Sequence, residues 1–326
     1  MPGNVATLKE KNNKFICNNH VGAFKYSIGM NIKQIAVIGA GTMGNGIAHV
    51  CIQHGFSVNL IDLSIEALEK AQQQIEKNMD RQVKKGILTS EQTSAALQSL
   101  TLTTHLEEGV SNCQLVIEAA TENPTIKKSL FISLDKVTPA DCILASNTSS
   151  ISITSLAAVT QNPSRVIGMH FMNPVPVMKL VEVINAYQTA AAVSSTIVEL
   201  SRQLNKIPCV VNDYPGFIAN RILMPMINEA IYSLYEGVAG VESIDTIMKL
   251  GMAHPMGPLQ LADFIGLDVC KSILEVMYNG LGNPKYAPCP LLVNMVTAGH
   301  LGIKSGEGFY NYTAGTDQKV VSSRFL

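Results

Sequence analysis

Hydrophobic residues recur with two different periods along the chain. Between residues 34 and 213, short apolar runs rich in β-branched residues, such as "QIAVI", "SVNLID" and "QLVIEAA", alternate with segments of helical spacing. After "PCVVND" the strand pattern stops, and apolar residues at helical spacing continue to about residue 300. The pattern predicts a doubly wound, mostly parallel α/β domain over residues 31–213 and an all-α domain over residues 214–326.

Within the first of these domains, two helices stand out. A long, charged helical segment runs from about Ser64 to about Lys85, and a second helix is expected after Pro124. The strands "QLVIEAA" and "CILAS" on either side of that second helix are apolar throughout, as is typical of parallel strands buried on both faces.

The first thirty residues do not share either pattern. They are polar and aperiodic, and they lack the apolar core of a signal peptide, so residues 1–30 are predicted to form a poorly structured extension. An upstream extension, a start codon assigned too far upstream of Met30, or a transit peptide would each produce such a segment. The absence of arginine in it speaks against a transit peptide.

Composition narrows the possible partners and the compartment. A length of 326 residues suits about two domains, and 24 basic against 25 acidic residues give a net charge of −1, so no general attraction to nucleic acid or to a membrane is expected. No apolar run reaches the roughly 18 to 20 residues that span a bilayer. The seven cysteines are scattered, odd in number and without a CxxC pair, which indicates reduced thiols and a cytoplasmic protein.

A glycine motif follows the first strand. Gly39, Gly41 and Gly44 have GxGxxG spacing at the opening of a helix, where they permit a tight turn, close approach of a pyrophosphate and close helix packing. The second strand ends in Asp62, which is 62 − 44 = 18 residues beyond the last glycine and suits a ribose-binding acid. Since a carboxylate repels a 2′-phosphate, the Rossmann-type motif predicts NAD, although a glycine turn that serves packing alone is the alternative. The loop residues expected to contact the cofactor are Gly39, Ala40, Gly41, Thr42, Met43 and Gly44.

Two ionisable residues lie on apolar segments around a proline-containing bend. If "RVIGMHF" and "KLVEVI" are antiparallel strands, a bend centred on Pro176 places His170 opposite Glu182, because (170 + 182)/2 = 176. Cross-strand partners have Cβ atoms about 4.5 to 5.5 Å apart. The carboxylate could therefore orient the imidazole for proton transfer near neutral pH. A buried structural histidine is the alternative.

Several motifs together resemble the L-3-hydroxyacyl-CoA dehydrogenase family. They are "GAGTMGNG", "EAATEN", "ASNTSS", "GMHFMNPVPVMKLVEV", "NDYPGFIANRI", "HPMGPLQLADFIGLD" and "KSGEGFY", and the similarity covers residues 31–313. The chain is most similar to stand-alone bacterial members that act on 3-hydroxybutyryl-CoA. The resemblance implies NAD as cofactor, an acyl-CoA substrate, and a homodimer formed largely through the helical domain.

The resemblance also assigns roles in the reaction. His170 would be the base that removes the 3-hydroxyl proton, with Glu182 as its partner. Ser149 and Asn220 would hydrogen-bond the reacting oxygen or the acyl carbonyl. Ser149 has an alternative role as a helix N-cap, because serine suits that position. Asn220 has mediocre propensity inside a predicted helix, which favours a functional role.

Further positions match cofactor or coenzyme A contacts of the family. Asn173, Glu122 and Lys127 match positions near the cofactor, and Lys304 resembles another. The alternative role of Glu122 is in the electrostatics of a helix start, and the alternative for Lys127 is a solvated helix charge.

Coenzyme A phosphates need cationic partners, and the resemblance points to Lys85 at a basic helix end. Compensation of the helix dipole is the alternative role of that lysine. The family's nearby serine contact falls on Asn78 here, so this chain departs from the family pattern at that position.

Other functions are less well supported by the residues. HExxH, P-loop and GxSxG motifs are missing, and His254 has no second ligand at metal-binding spacing. Two alternatives stay open: a sugar-acid substrate, as in gulonate dehydrogenases, and a structural or NAD-sensing role, as in crystallin relatives. The presence of the four predicted catalytic residues argues against the second.

Overall fold

The computed structural model describes residues 31–316 and 319–326. The predicted N-terminal extension, residues 1–30, lies outside the described residues. The described chain folds into an eight-stranded sheet flanked by helices, followed by a helical part with its own core. The predicted α/β fold with a helical C-terminal part is therefore confirmed, while the boundary between residues 213 and 214 stays a prediction.

The sheet has the strand order β3-β2-β1-β4-β5-β6-β7-β8. All neighbours are parallel except β6 and β7, which are antiparallel. Strands β4, β5 and β6 are buried along their whole length, since helices cover both faces of the sheet. The strands are β1 (Gln34–Ile38), β2 (Ser57–Ile61), β3 (Leu100–Thr103), β4 (Leu115–Glu118), β5 (Ile143–Ser146), β6 (Val166–Phe171), β7 (Leu180–Asn185) and β8 (Ile207–Asn212).

Helices of the first part connect these strands, and α2, α3, α5 and α6 begin at a polar residue whose side chain caps the helix. The predicted charged helix is α2, for which Ser64 is the N-cap and accepts the Ala67 N–H, and Lys85 is the C-cap. The predicted helix after Pro124 is also present, with Asn123 as its N-cap. The helices are α1 (Thr42–Gln53), α2 (Ile65–Lys84), α3 (Ser90–Gln98), α4 (Leu106–Val110), α5 (Pro124–Val137), α6 (Ile153–Ala157) and α7 (Ala191–Gln203).

The second part is built around a separate apolar core, to which Met224, Leu259 and Phe309 contribute. It also contains two short antiparallel strands that the prediction of an all-α domain did not include. None of the described helices combines the length and apolar character needed to cross a bilayer. The elements are α8 (Ala219–Tyr235), α9 (Val241–Thr246), α10 (Pro258–Ile265), α11 (Leu267–Leu281), α12 (Pro290–Thr297), β9 (Tyr310–Asn311) and β10 (Val320–Val321).

Candidate active site

The three glycines of the first turn occupy positions with different steric demands. Gly39 has φ +99°, and a Cβ there would lie 2.6 Å from the Cα of Ala120. A Cβ on Gly44 would lie 1.7 Å from the Gly39 carbonyl oxygen, whereas nothing lies within 4 Å of a Cβ on Gly41. The first and third glycines are therefore required by the turn and its packing, and the second leaves open space above the start of α1. This is the arrangement that a pyrophosphate needs.

A cavity of about 750 Å³ opens at this turn. It lies between the glycine loop, α2 and the bend that joins β6 to β7, and Ala40, Gly41, Thr42, Asp62 and Asn173 are among the residues that line it. Five of the predicted cofactor contacts thus share one cavity.

Asp62 stands at the end of β2, where its side chain is tied to the glycine loop. Its Oδ2 accepts the Ala40 N–H at 2.7 Å, and its Oδ1 accepts the Ser64 N–H at 3.1 Å. Because each carboxylate oxygen can accept more than one hydrogen bond, acceptor capacity remains for ribose hydroxyls. The donors of the loop, the open position at Gly41 and this acid together fit NAD.

The antiparallel pairing of β6 and β7 places His170 directly opposite Glu182, as the bend centred on Pro176 predicted. The imidazole Nδ1 lies 2.8 Å from Glu182 Oε2, and both side chains are buried. Burial alone would raise the pKa of Glu182, but the bonds from His170 and from two backbone N–H groups outweigh it and hold the pKa below its ordinary value. An ionised Glu182 accepts the Nδ1 proton, which leaves Nε2 as the acceptor.

The other ring nitrogen of His170 faces Ser149, at 3.1 Å from the hydroxyl oxygen. Ser149 lies in the loop after β5. The N-cap of α6 is Ser152, so the alternative role of Ser149 as that cap is wrong. Ser149, His170 and Glu182 form one continuous chain of hydrogen bonds.

Glu122 holds the loop that carries Ser149. Its Oε1 accepts the Ser149 and Ser150 N–H groups at 2.9 and 3.0 Å, and it also accepts the hydroxyls of Thr148 and Ser150. Glu122 therefore anchors the serine loop. A direct contact with the cofactor stays a prediction.

Lys127 is buried on α5 and forms an ion pair with Glu118 at the end of β4. Glu118 also accepts the Ser146 hydroxyl at 2.8 Å, and Lys127 Nζ lies 4.0 Å from Glu122. The alternative of a solvated helix charge is therefore wrong for Lys127. Its predicted contact with the cofactor is not tested by this arrangement, in which the ammonium supports the loop behind the cavity.

The helical part contributes to the same site through the start of α8. Asn220 Nδ2 donates to the Ser149 carbonyl at 3.0 Å, and Glu182 Oε1 accepts the N–H groups of Ile218 and Ala219 at 3.2 and 3.0 Å. Phe217, which has φ +46° and is buried, lies with its ring centroid 6.1 Å from that of His170. A left-handed conformation is strained for a residue other than glycine. At Phe217 it turns the chain so that the first N–H groups of the helix point at Glu182.

Two predicted cationic contacts lie apart from this cluster. Lys304 forms an ion pair with Asp268, and Lys85 is exposed at the C-terminal end of α2. Neither lines the cavity, and their roles stay predictions. Asn78 does line it, on the same helix as Lys85.

Sequence reasoning missed Glu118, Thr148 and Phe217. Glu118 and Thr148 stand in the motifs "EAATEN" and "ASNTSS", and Phe217 stands in "NDYPGFIANRI". Polar residues at the carboxyl ends of buried strands were the signal that could have found the first two. Among the described residues, no group of three or more histidine, cysteine, aspartate or glutamate side chains lies together as a metal site would require.

Comparison with known proteins identifies the family to which the chain is similar. Residues 34–214 match the model of the 3-hydroxyacyl-CoA dehydrogenase NAD binding domain, and residues 216–312 match the model of the C-terminal domain of the same enzyme. The probable 3-hydroxybutyryl-CoA dehydrogenase of Bacillus subtilis is 53% identical over 283 residues, which are 87% of this chain and 98% of the relative. The mitochondrial hydroxyacyl-coenzyme A dehydrogenase of Rattus norvegicus is 42% identical, over 86% of this chain and 91% of the relative.

A solved structure agrees with this assignment. The crystal structure of (S)-3-hydroxybutyryl-CoA dehydrogenase from Ralstonia eutropha matches with a TM-score of 0.85 and 47% identity, and the match covers 86% of this chain and 99% of that one. The resemblance inferred from the motifs is confirmed. The chain belongs to the 3-hydroxyacyl-CoA dehydrogenase family, with the family's NAD binding domain followed by its C-terminal domain.

Proposed function

We propose that the chain catalyses the reversible oxidation of (S)-3-hydroxyacyl-CoA to 3-oxoacyl-CoA, with 3-hydroxybutyryl-CoA as its short-chain substrate. The observation that carries the proposal is the hydrogen-bonded chain Ser149–His170–Glu182. Its histidine lies on β6, the strand that leads into the bend lining the NAD cavity. NAD, when bound, supplies the hydride acceptor. The protein has to hold the substrate and move one proton.

His170 is the base that takes the proton of the 3-hydroxyl group. Glu182 accepts the Nδ1 proton, so the Nε2 lone pair faces Ser149 and the substrate side. As the imidazole becomes imidazolium, the buried carboxylate stabilises the new charge. In the reducing direction His170 returns the proton to the oxygen.

Ser149 and Asn220 position the reacting oxygen or the acyl carbonyl. The Ser149 hydroxyl is held at its distance from His170 because Glu122 fixes the loop backbone. Asn220 donates one amide proton to the Ser149 carbonyl, and a carboxamide has two such protons. Its second proton can therefore be given to the substrate.

Cofactor choice follows from Asp62. Its carboxylate lines the cavity and is fixed by two backbone N–H groups. It would accept bonds from the ribose hydroxyls and repel a 2′-phosphate, so NADH is expected to be preferred over NADPH.

We further propose that Lys85 lies near the phosphates of coenzyme A.

We also propose that the protein is a cytoplasmic homodimer formed through the helical part. Large apolar side chains of that part are exposed in the single chain, among them Ile222 at 67%, Leu250 at 81% and Phe264 at 57%. Exposed apolar side chains of this size favour burial against another subunit. Size-exclusion chromatography with light scattering tests this, and a monomer at micromolar concentration would refute it.

The reaction is tested by following the loss of NADH absorbance with acetoacetyl-CoA and with free acetoacetate, and by repeating the acetoacetyl-CoA assay with NADPH. Oxidation of a sugar acid by NAD is followed separately, as a gain of NADH absorbance. Turnover that requires both the thioester and NADH supports the proposal. Turnover of the sugar acid alone would point to the gulonate-type reaction. NADH binding without turnover of any of these compounds would leave a non-catalytic role.

A further inference from the structure

A buried lysine lies beneath the bend that forms one wall of the cavity. Lys206 is only 7% exposed, and its Nζ donates to the carbonyl oxygens of Val175 at 2.5 Å and Met178 at 2.8 Å. Both carbonyls belong to the bend, residues 173–178, between β6 and β7. One ammonium group thus ties together two points of the bend that are three residues apart.

The position of Lys206 is set by the way α7 ends. Asn205 has φ +56°, and its N–H donates to the Arg202 carbonyl, while the Lys206 N–H donates to the Ser201 carbonyl. This is the Schellman arrangement, which stops a helix and turns the chain sharply. Because β8 begins at the next residue, the Lys206 side chain is held by fixed backbone on both sides.

The bend in turn touches α1 and the cavity. Val175 is buried against Gly46 of α1, where a Cβ would lie 2.9 Å from the Val175 Cβ. Asn173, Val175 and Pro176 all line the cavity. A shift of the bend away from α1 would therefore move the wall that faces the glycine loop.

We propose that Lys206 is a positioning residue for cofactor binding: it holds the 173–178 bend against α1 and so sets the width of the NAD cavity. The proposal rests on the proposed function only in taking this cavity as the NAD site. Lys206 itself does not line the cavity and acts through the two carbonyls.

The chemistry of the site explains why an amine stands here. Burial lowers the pKa of Lys206 to about 8, and the positive charge of Lys179 on the flank of the bend adds to that effect. An apolar side chain would avoid this cost but would leave two carbonyl oxygens without their donor. The value of Lys206 therefore lies in its hydrogen bonds to the bend.

Three variants test the proposal. Lys206→Met has similar length and no donors, Lys206→Arg restores donors, and Lys179→Met removes an exposed lysine beside the same bend as the matched control. We would measure the Kd of NADH by fluorescence without acyl-CoA, the KM of acetoacetyl-CoA, kcat and the melting temperature.

For Lys206→Met, which removes both hydrogen bonds to the bend, we expect the Kd of NADH to rise about tenfold, which is about 1.4 kcal/mol of binding free energy. The KM of acetoacetyl-CoA should stay within about twofold, because the wall that moves faces the glycine loop. Lys206→Arg should recover most of the NADH affinity, and Lys179→Met should match the wild type. An unchanged Kd of NADH in Lys206→Met, or equal loss of NADH and acetoacetyl-CoA affinity, would overturn the proposal.

A second variant keeps the test valid if Lys206→Met does not fold. Gly46→Ala presses on Val175 from the α1 side and shifts the same bend without removing a buried charge. It should also weaken NADH binding, and wild-type affinity in Gly46→Ala would refute the role of the bend. Since NADH binding is measured alone, a wild type that binds NADH but does not turn over acetoacetyl-CoA refutes only the proposed function.

Discussion

Replacing Glu182 by glutamine tests whether catalysis needs the correct tautomer of His170, and not only the presence of its imidazole ring. In the wild type one carboxylate oxygen accepts from His170 Nδ1 and the other accepts from the Ile218 and Ala219 N–H groups. An amide has a single acceptor oxygen. If that oxygen stays with the two backbone N–H groups, the NH₂ group faces Nδ1, so Nδ1 must become the acceptor and Nε2 must carry the proton.

The expected loss follows from this tautomer. A protonated Nε2 cannot take the proton of the 3-hydroxyl group, although the ring stays in place. In hydrolase triads the same exchange of an orienting carboxylate for its amide lowers turnover by about 10⁴. Since general base catalysis itself contributes about 10² to 10⁴, we expect Glu182→Gln to lower kcat by a factor in that range. A hydrogen bond to a charged group is replaced by one between neutral groups, so the free energy of unfolding should fall by no more than about 1.5 to 3 kcal/mol.

The assay is oxidation of NADH by acetoacetyl-CoA under single-turnover conditions, together with the Kd of NADH and a urea unfolding curve for each protein. Glu199→Gln is the matched control, because Glu199 is exposed and forms its ion pair with the exposed Arg202. It should behave as the wild type in all three measurements. A rate for Glu182→Gln within about threefold of the wild type would show that the carboxylate does not set the tautomer, and the reasoning would be refuted.

Four further predictions concern neighbouring residues. His170→Gln should lower turnover by about 10² to 10⁴ while the Kd of NADH barely changes, and comparable activity would contradict its role as base. Asp62→Asn, which keeps an acceptor for the Ala40 N–H, should raise the kcat/KM ratio of NADPH to NADH about tenfold or more, and an unchanged ratio would contradict the repulsion argument. Lys127→Met leaves Glu118 buried without its partner and should lower the free energy of unfolding by about 3 to 5 kcal/mol in urea titrations; a loss below about 1 kcal/mol would show that the pair is not needed. Because the folded pKa of Glu182 lies below its unfolded value of 4.5, its ionised form stabilises the fold above pH 4.5, and this stability is lost as the pH falls through the folded pKa. The stability gap between the wild type and Glu182→Gln should therefore shrink in acid, and a constant gap would contradict the shift.

The features predicted well from sequence are those with a local cause. The pairing of His170 with Glu182 follows from two strand patterns and the bend between them, so simple counting found the register. The glycine turn and Asp62 follow from a strand, a turn and a helix that are close in sequence. In both cases the relevant contacts join neighbouring elements, and periodicity reports which face of each element is buried.

The features that sequence reasoning missed depend on distant contacts or on very short elements. The anchors Glu118 and Lys206 are polar residues whose partners are set by the packing of separate elements, which periodicity does not report. Strand β3, "LTLT", has only two apolar residues, and strands β9 and β10 have two residues each. Segments this short carry too little pattern to be distinguished from loops.

The catalytic pair is completed by the helical part of the chain. Glu182 lies on β7, but one of its two carboxylate oxygens accepts the N–H groups of Ile218 and Ala219 at the start of α8. Asn220 of the same helix donates to the carbonyl of Ser149. A helix N-terminus carries free donors and a positive dipole end, so it favours the ionised form of a carboxylate placed against it. The ionised form is the one that keeps His170 in the tautomer able to accept a proton. Displacement of α8 from β7 would thus remove two donors from Glu182 and one from the serine loop at once, and the base and the oxygen-binding group would be lost together.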